Sequence, residues 1–167
     1  MADLTLKERL QPSLLDRLTD RARESQLESR DRRVLSVDKI RESVIRDLGW
    51  LLNTGNLGVT EDLGDYPEVA CSVLNYGAPE LAGVTAAAVN IAELEANVRQ
   101  AIINFEPRIL KDTLKVNIRS RGRDSTPGML QFAIEGQLWA QPMPIGLFLR
   151  TDLDLETGAF SVAEVTR

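Results

Sequence analysis

The chain has 167 residues, with 25 acidic against 20 basic side chains and no histidine. The net charge of −5 argues against a phosphate-binding surface, which needs a cationic footprint. The missing histidine removes Ser-His-Asp triads, imidazole bases and imidazole metal ligands in one step. A length of this size suggests one compact domain plus an extension, and 43% hydrophobic residues suffice for a core. Only 5% of residues are aromatic, so that core is expected to be aliphatic. Cys71 is the single cysteine and admits no intrachain disulfide. Lying in Val69-Ala70-Cys71-Ser72-Val73-Leu74, it reads as a small buried hydrophobe rather than a nucleophile. The N-terminus lacks an apolar leader core, and no run approaches the ~20 apolar residues that span a bilayer. A cytoplasmic protein without membrane insertion is expected.

Residues 1–35 read as an arm. Leu10, Leu14, Leu15 and Leu18 fall at helical spacing, and Pro12 is tolerable near a helix start, which predicts a short helix from about Ser13 to Asp20. The stretch Arg21 to Arg33 is dense in both charge signs and poor in apolar residues, so it buries little alone. It is either a solvated linker or part of a detachable arm whose leucine stripe (Leu14, Leu15, Leu18) docks on another protein.

Residues 36–167 read as the folded domain. Ser36 is a good N-cap, and Val37, Ile40, Val44, Leu48 and Leu51 form a helical stripe widened by Ile45 and Leu52. Glu42 and Arg46 are spaced to pair on its outer side. Asn53-Thr54-Gly55 should end this helix. Pro67 suits the first position of a short helix with Val69, Val73 and Leu74 inward, and Gly77 suits the position just past its end. The run around Gly83 and Thr85 to Ala88 is either loop or irregular helix. Asn90 with Glu93 resembles a capping box, opening a second long helix whose stripe is Ile91, Leu94, Val98, Ala101, Ile102 and Phe105. Proline lacks an N–H and disfavours a helical predecessor, so Pro107 should stop that helix at Glu106.

Beyond Glu106-Pro107-Arg108 the period falls from 3.6 to 2. Leu114, Val116 and Ile118 alternate with polar residues, as do Leu130, Phe132 and Ile134 across a long turn at 120–128. Leu138 and Trp139 extend the second strand. Leu147, Leu149, Thr151, Leu153 and Leu155 share one face, with Arg150, Asp152 and Asp154 opposite. Glu156-Thr157-Gly158 is a turn into a last strand with Phe160, Val162 and Val165. The expected fold is α+β: two main helices on a largely antiparallel sheet of about four strands, preceded by the helical arm.

Without histidine, the reachable catalysis is that of carboxylates. Glycoside hydrolysis needs a pair at ~5–5.5 Å for retention or ~6.5–9.5 Å for inversion. Glu106 is the one positionally distinctive carboxylate, yet adjacent Arg108 favours its charged form, whereas a general acid must hold its proton. No second acid stands out, so no enzyme is expected. A carboxylate and a guanidinium around a proline are then either a helix stop or a preorganised polar site. Asp62, Asp65 and Glu68 lack calcium-loop spacing and read as a solvated turn, with no metal or cofactor expected. The arginines at 30, 32 and 33 and at 119, 121 and 123 have acidic neighbours and no interleaved aromatics, which does not fit nucleic acid.

Several blocks, in order, resemble the TssE family of type VI secretion baseplate subunits, which are similar to the wedge protein of contractile phage tails sometimes labelled lysozyme-like. They are Pro12-Ser13-Leu14-Leu15-Asp16-Arg17-Leu18, Arg41 to Thr54, Tyr66-Pro67-Glu68-Val69, Ser72 to Gly77, Phe105-Glu106-Pro107-Arg108-Ile109-Leu110 and Leu149 to Gly158. Ala78 departs from the pattern, where a larger apolar residue is common. The resemblance implies a structural subunit that sits with TssF, TssG and TssK in a cytoplasmic baseplate at the inner membrane. It also implies that the subunit helps start the TssB–TssC sheath. Strand addition at a sheet edge fits such assembly, and Glu106, Pro107, Arg108 and the leucines of the arm are the expected partner-binding residues. A carboxylate-dependent muramidase and the equivalent subunit of a phage tail or other injection particle are the alternatives.

Overall fold

The computed structural model describes residues 13–19, 37–79, 90–119, 128–139 and 144–165. Four α-helices come first: α1 (Leu14–Leu18), α2 (Val37–Leu52), α3 (Pro67–Ala70) and α4 (Ile91–Phe105). Four strands follow: β1 (Lys115–Arg119), β2 (Met129–Leu138), β3 (Ile145–Asp154) and β4 (Phe160–Glu164). The strands form one antiparallel meander in the order β1-β2-β3-β4. The predicted α+β architecture is therefore present, and helix gives way to strand at Glu106 as expected. The expected N-cap Ser36, the proline at 12, the linker at 20–36, the run at 80–89 and the turn at 120–127 lie outside the described residues.

The period-2 pattern sets the sheet's inner face. Leu130 pairs with Leu153, Phe132 with Thr151, Ile134 with Leu149 and Leu138 with Ile145. Phe132, Ile134, Leu138, Leu147, Leu153 and Thr151 are almost wholly buried there. Onto this face α2 brings Val44, Leu48 and Leu51, and α4 brings Leu94, Val98 and Ile102. Burying each such aliphatic side chain stabilises by about 1.5–3 kcal/mol before the entropy of ordering it. Phe132 and Phe160 meet at 5.7 Å between centroids, one of few aromatic contacts in an aliphatic core.

The caps follow the sequence. Asn90 Oδ1 accepts from Glu93 N at 3.3 Å and opens α4. Glu106 closes it, donating its N–H to Ile102 O at 2.8 Å. Gly77 lies at φ 135° where the chain crosses the end of α2, and Ala78 N donates to Thr54 O at 2.8 Å. A Cβ at Gly77 would sit 2.9 Å from Asn56 N and closer still to Thr54 O, so only glycine fits.

Five expectations fail. Cys71 is exposed rather than buried, because α3 is a single turn that does not enter the core. Val73 and Leu74 point outward, at 80% and 69% exposure, for the same reason. Ile91 is exposed at the first position of α4, whose buried stripe begins at Leu94. Arg46 turns away from Glu42 to Asp16 and Asp47, where two carboxylates hold it. Strand β2 ends at Leu138, and Trp139, half exposed, donates its N–H to Arg108 O at 2.7 Å.

Candidate functional site: the Glu106-Pro107-Arg108 corner

Pro107 ends α4 and folds the next residues back over its own last turn. Glu106 is 3% exposed, a carboxylate in the core boundary. Such a charge is tolerated only when paired and hydrogen-bonded. Arg108 supplies both: its backbone N–H and Nε donate to Glu106 Oε1 at 3.1 and 2.6 Å. Its Nη2 donates to Glu106 Oε2, completing a fork on the carboxylate. The corner is thus closed by its own two charged residues.

Arg108 also reaches α2. Its Nη2 donates to Asp47 Oδ2 at 2.5 Å and its Nη1 to Ser43 Oγ at 3.0 Å. Ser43 Oγ in turn donates to Ile40 O at 2.9 Å. Asp47 accepts from Arg46 Nε at 2.9 Å, and Arg46 Nη1 donates to Asp16 Oδ1 of α1 at 2.6 Å. Ser13 closes the series, capping α1 by accepting from Asp16 N at 3.2 Å and donating to Asp16 Oδ2 at 2.7 Å. Charges alternate from Glu106 to Asp16, so one continuous network joins the corner, α2 and the arm helix.

The titration of these groups follows. Burial opposes the charge on Arg108, yet its bonds to Glu106 and Asp47 outweigh that and hold its pKa above the ordinary arginine value. Arg46 is raised too, first by its bond to Asp16. The Tyr76 hydroxyl is pushed up by burial and then by the charges of Asp47 and Glu106.

Beside the network lies an open groove of about 450 Å³ lined by Leu15, Trp50, Leu51, Tyr76, Phe105 and Pro107, with Ser13, Asp47, Glu106 and Arg108 at its polar side. Tyr76 and Phe105 meet edge to face at 5.2 Å. Arg46 sits 5.0 Å above the Trp50 ring. The helix α1 presents Leu14 and Leu18 outward, at 69% and 73% exposure, while Leu15 turns to the groove. The expected site residues are therefore neighbours: Glu106, Pro107, Arg108 and Leu15 border one groove, and Leu14 and Leu18 face solvent beside it. The described polar bonds of Glu106 and Arg108 all go to the chain's own residues.

Asp47, Ser43, Asp16 and Trp50 were not singled out from the sequence, and Arg46 was read only as a partner for Glu42. A signal existed for two of them. Ser43 and Asp47 follow Ile40 and Val44 by three, which sets polar side chains on the core side of an apolar stripe. Nothing local pairs Arg46 with Asp16, thirty positions away.

What these features define is a small α+β scaffold whose distinctive charges are bound internally beside an open apolar groove. Residues 38–143 match the model of the family described as baseplate wedge protein gp25. The chain belongs to that family, and its role is that of a structural component of a phage-tail-type baseplate. No curated protein matches it. Among solved structures it is similar to a candidate tail lysozyme from Geobacter sulfurreducens, at 18% identity and a TM-score of 0.41, over 80% of this chain and 96% of that one.

Proposed function

We propose that the chain is the wedge subunit of a type VI secretion baseplate, a non-enzymatic component that joins TssF, TssG and TssK on the cytoplasmic side of the inner membrane. In this reading it starts the TssB–TssC sheath by accepting a strand at the outer edge of β4. The observation that carries the choice of edge is the length of open backbone on each edge strand, one outward residue between two anchors on β1 against two in succession on β4. On β1, Glu95 Oε1 accepts from Ile118 N at 2.5 Å and Arg99 Nε donates to Leu114 O at 3.2 Å, so α4 holds both sides of Val116, the one outward residue between them whose backbone groups have no partner among the described residues. On β4, Asn53 takes both backbone groups of Phe160, at 2.9 Å each, and stops there. Val165 N donates to Phe148 O at 2.9 Å, which puts Ser161 and Ala163 on the ladder side. The backbone groups of Val162 and Glu164 then face outward, with no partner among the described residues. Unpaired N–H and C=O rows of this kind template strand addition.

The Val162→Pro variant removes one outward N–H and leaves the inward ladder intact. It is expected to melt within a few degrees of the parent and to fail at sheath assembly in cells. Sheath assembly at parental levels would sink the role of this edge.

Catalysis is not part of the reading. Both Glu106 oxygens accept hydrogen bonds from Arg108 and the residue is 3% exposed, so its carboxylate is turned to its own corner rather than offered to a substrate. The purified chain is expected to release no fragments from peptidoglycan. Release that Glu106→Gln abolishes would restore a muramidase. A phage tail or another contractile injection particle would use the same subunit chemistry, and co-purification of TssF and TssG, rather than tail proteins, separates the owners.

A further inference from the structure

The segment from Leu57 to Asn75 turns four large apolar side chains to water. Val73, Leu74, Tyr66 and Val59 are 80%, 69%, 61% and 46% exposed. Loose construction does not explain this. Asn75 Oδ1 accepts from Gly58 N and its Nδ2 donates to Ala70 O, both at 2.9 Å, which staples the turns at 57–59 and 73–75 and helix α3 together. Ser72 Oγ donates to Val69 O at 2.9 Å and accepts from Leu74 N at 3.2 Å. The result is a braced platform that holds Val73 and Leu74 away from the core.

Its charge is one-signed. Glu61, Asp62, Asp65 and Glu68 are exposed on it, and residues 54–79 hold these four acids and no lysine or arginine. The platform thus carries −4 against a net −5 for the whole chain. Single exposed hydrophobes are ordinary on protein surfaces, but four on one braced, acid-rimmed platform form a patch. A second copy would set acid against acid, and lipid phosphates or nucleic acid would be repelled. A surface with an apolar socket and a basic rim matches both features: Tyr and Leu anchors fill the socket, while the rim charges steer approach.

We propose that the platform at 57–75 is a protein-docking surface, distinct from the corner and the β4 edge, whose occupant is a baseplate component with an apolar socket rimmed by lysine or arginine. The inference rests on the baseplate reading above.

Cys71, exposed within the platform and the sole cysteine, is a native reporter. Its alkylation rate is measured in the free full-length chain and in baseplate particles purified from its own cells through a tag on that chain. The rate is expected to fall at least about tenfold in the particle, the protection of a site buried by a contact of 1.4 kcal/mol or more. The double variant Val73→Ser, Leu74→Ser is expected to melt like the parent and to enter particles about tenfold less. The neutral set Glu61→Gln, Asp62→Asn, Asp65→Asn and Glu68→Gln is expected to weaken incorporation most at low salt. Undiminished Cys71 reactivity in particles that contain the chain, or full incorporation of the serine variant, overturns the docking surface alone. Absence of the chain from any baseplate particle overturns the baseplate reading and the inference with it.

Discussion

Glu106 and Arg108 answer the question their spacing poses. Two residues apart around a proline, they bind each other before anything else, and the proline makes that geometry the resting one. Removing either charge is therefore not symmetrical with removing their neighbours. Arg108→Ala strands a carboxylate that is 3% exposed and is expected to cost about 3–5 kcal/mol in denaturant unfolding. Asp47→Asn, at a side chain 24% exposed that Arg46 also contacts, should cost under about 1.5 kcal/mol. Equal losses would show that the network, not the buried pair, bears the energy. Because the Arg108 pKa is raised, its contribution is complete below the ordinary arginine value and is lost only as pH rises through a still higher one. Alkali within the usual working range therefore leaves the clamp closed. Thr151 is the opposite case: wholly buried, with no hydrogen-bond partner for its hydroxyl among the described residues. Thr151→Val keeps the shape, and is expected to stabilise by about 1 kcal/mol in the same measurement.

At the scale of elements, α2 has two duties on adjoining stripes. Val44, Leu48 and Leu51 enter the core, while Ser43 and Asp47 meet Arg108. Its end is fixed by the passage of Gly77 over Thr54 to Asn56. Gly77→Ala forces a side chain into that crossing at a positive φ, and a loss of about 2 kcal/mol or more in unfolding free energy is expected. The long helices, their caps and the strand alternation were legible because each is set by neighbours within a few positions. The region at 57–75 was not. Val69, Val73 and Leu74 have helical spacing, but α3 closes after one turn and the chain never returns them to the sheet. Periodicity reports which residues share a face, not whether another element arrives to cover it. Cys71 was misread for the same reason.

Across the whole molecule, the network ties α1 to the body at a distance no local pattern conveys. Asp16 and Arg46 hold α1 beside the groove that Leu15 borders, while Leu14 and Leu18 stay exposed, so α1 is fastened by this ion pair and by one of its three leucines. The side chains are 13% and 29% exposed, and such a pair contributes at most about 1 kcal/mol, screened by salt. Asp16→Arg and Arg46→Asp singly are expected to speed hydrogen exchange in α1, and the double swap to restore part of the protection. Absence of that rescue would mean the arm is held by something other than this pair.

Alone, the sequence determined the class of fold, the helix stop at Pro107 and the inward faces of the strands. These follow from backbone propensity and from side chains spaced along one chain. Only the tertiary structure decided where charge meets charge. It brought Arg108 to Asp47 and Arg46 to Asp16, left a longer run of open backbone on β4 than on β1, and held Val73 and Leu74 out of the core. The physical reason is that pairing and burial depend on which elements come to lie together, and sequence spacing is silent on that beyond a turn or two of chain.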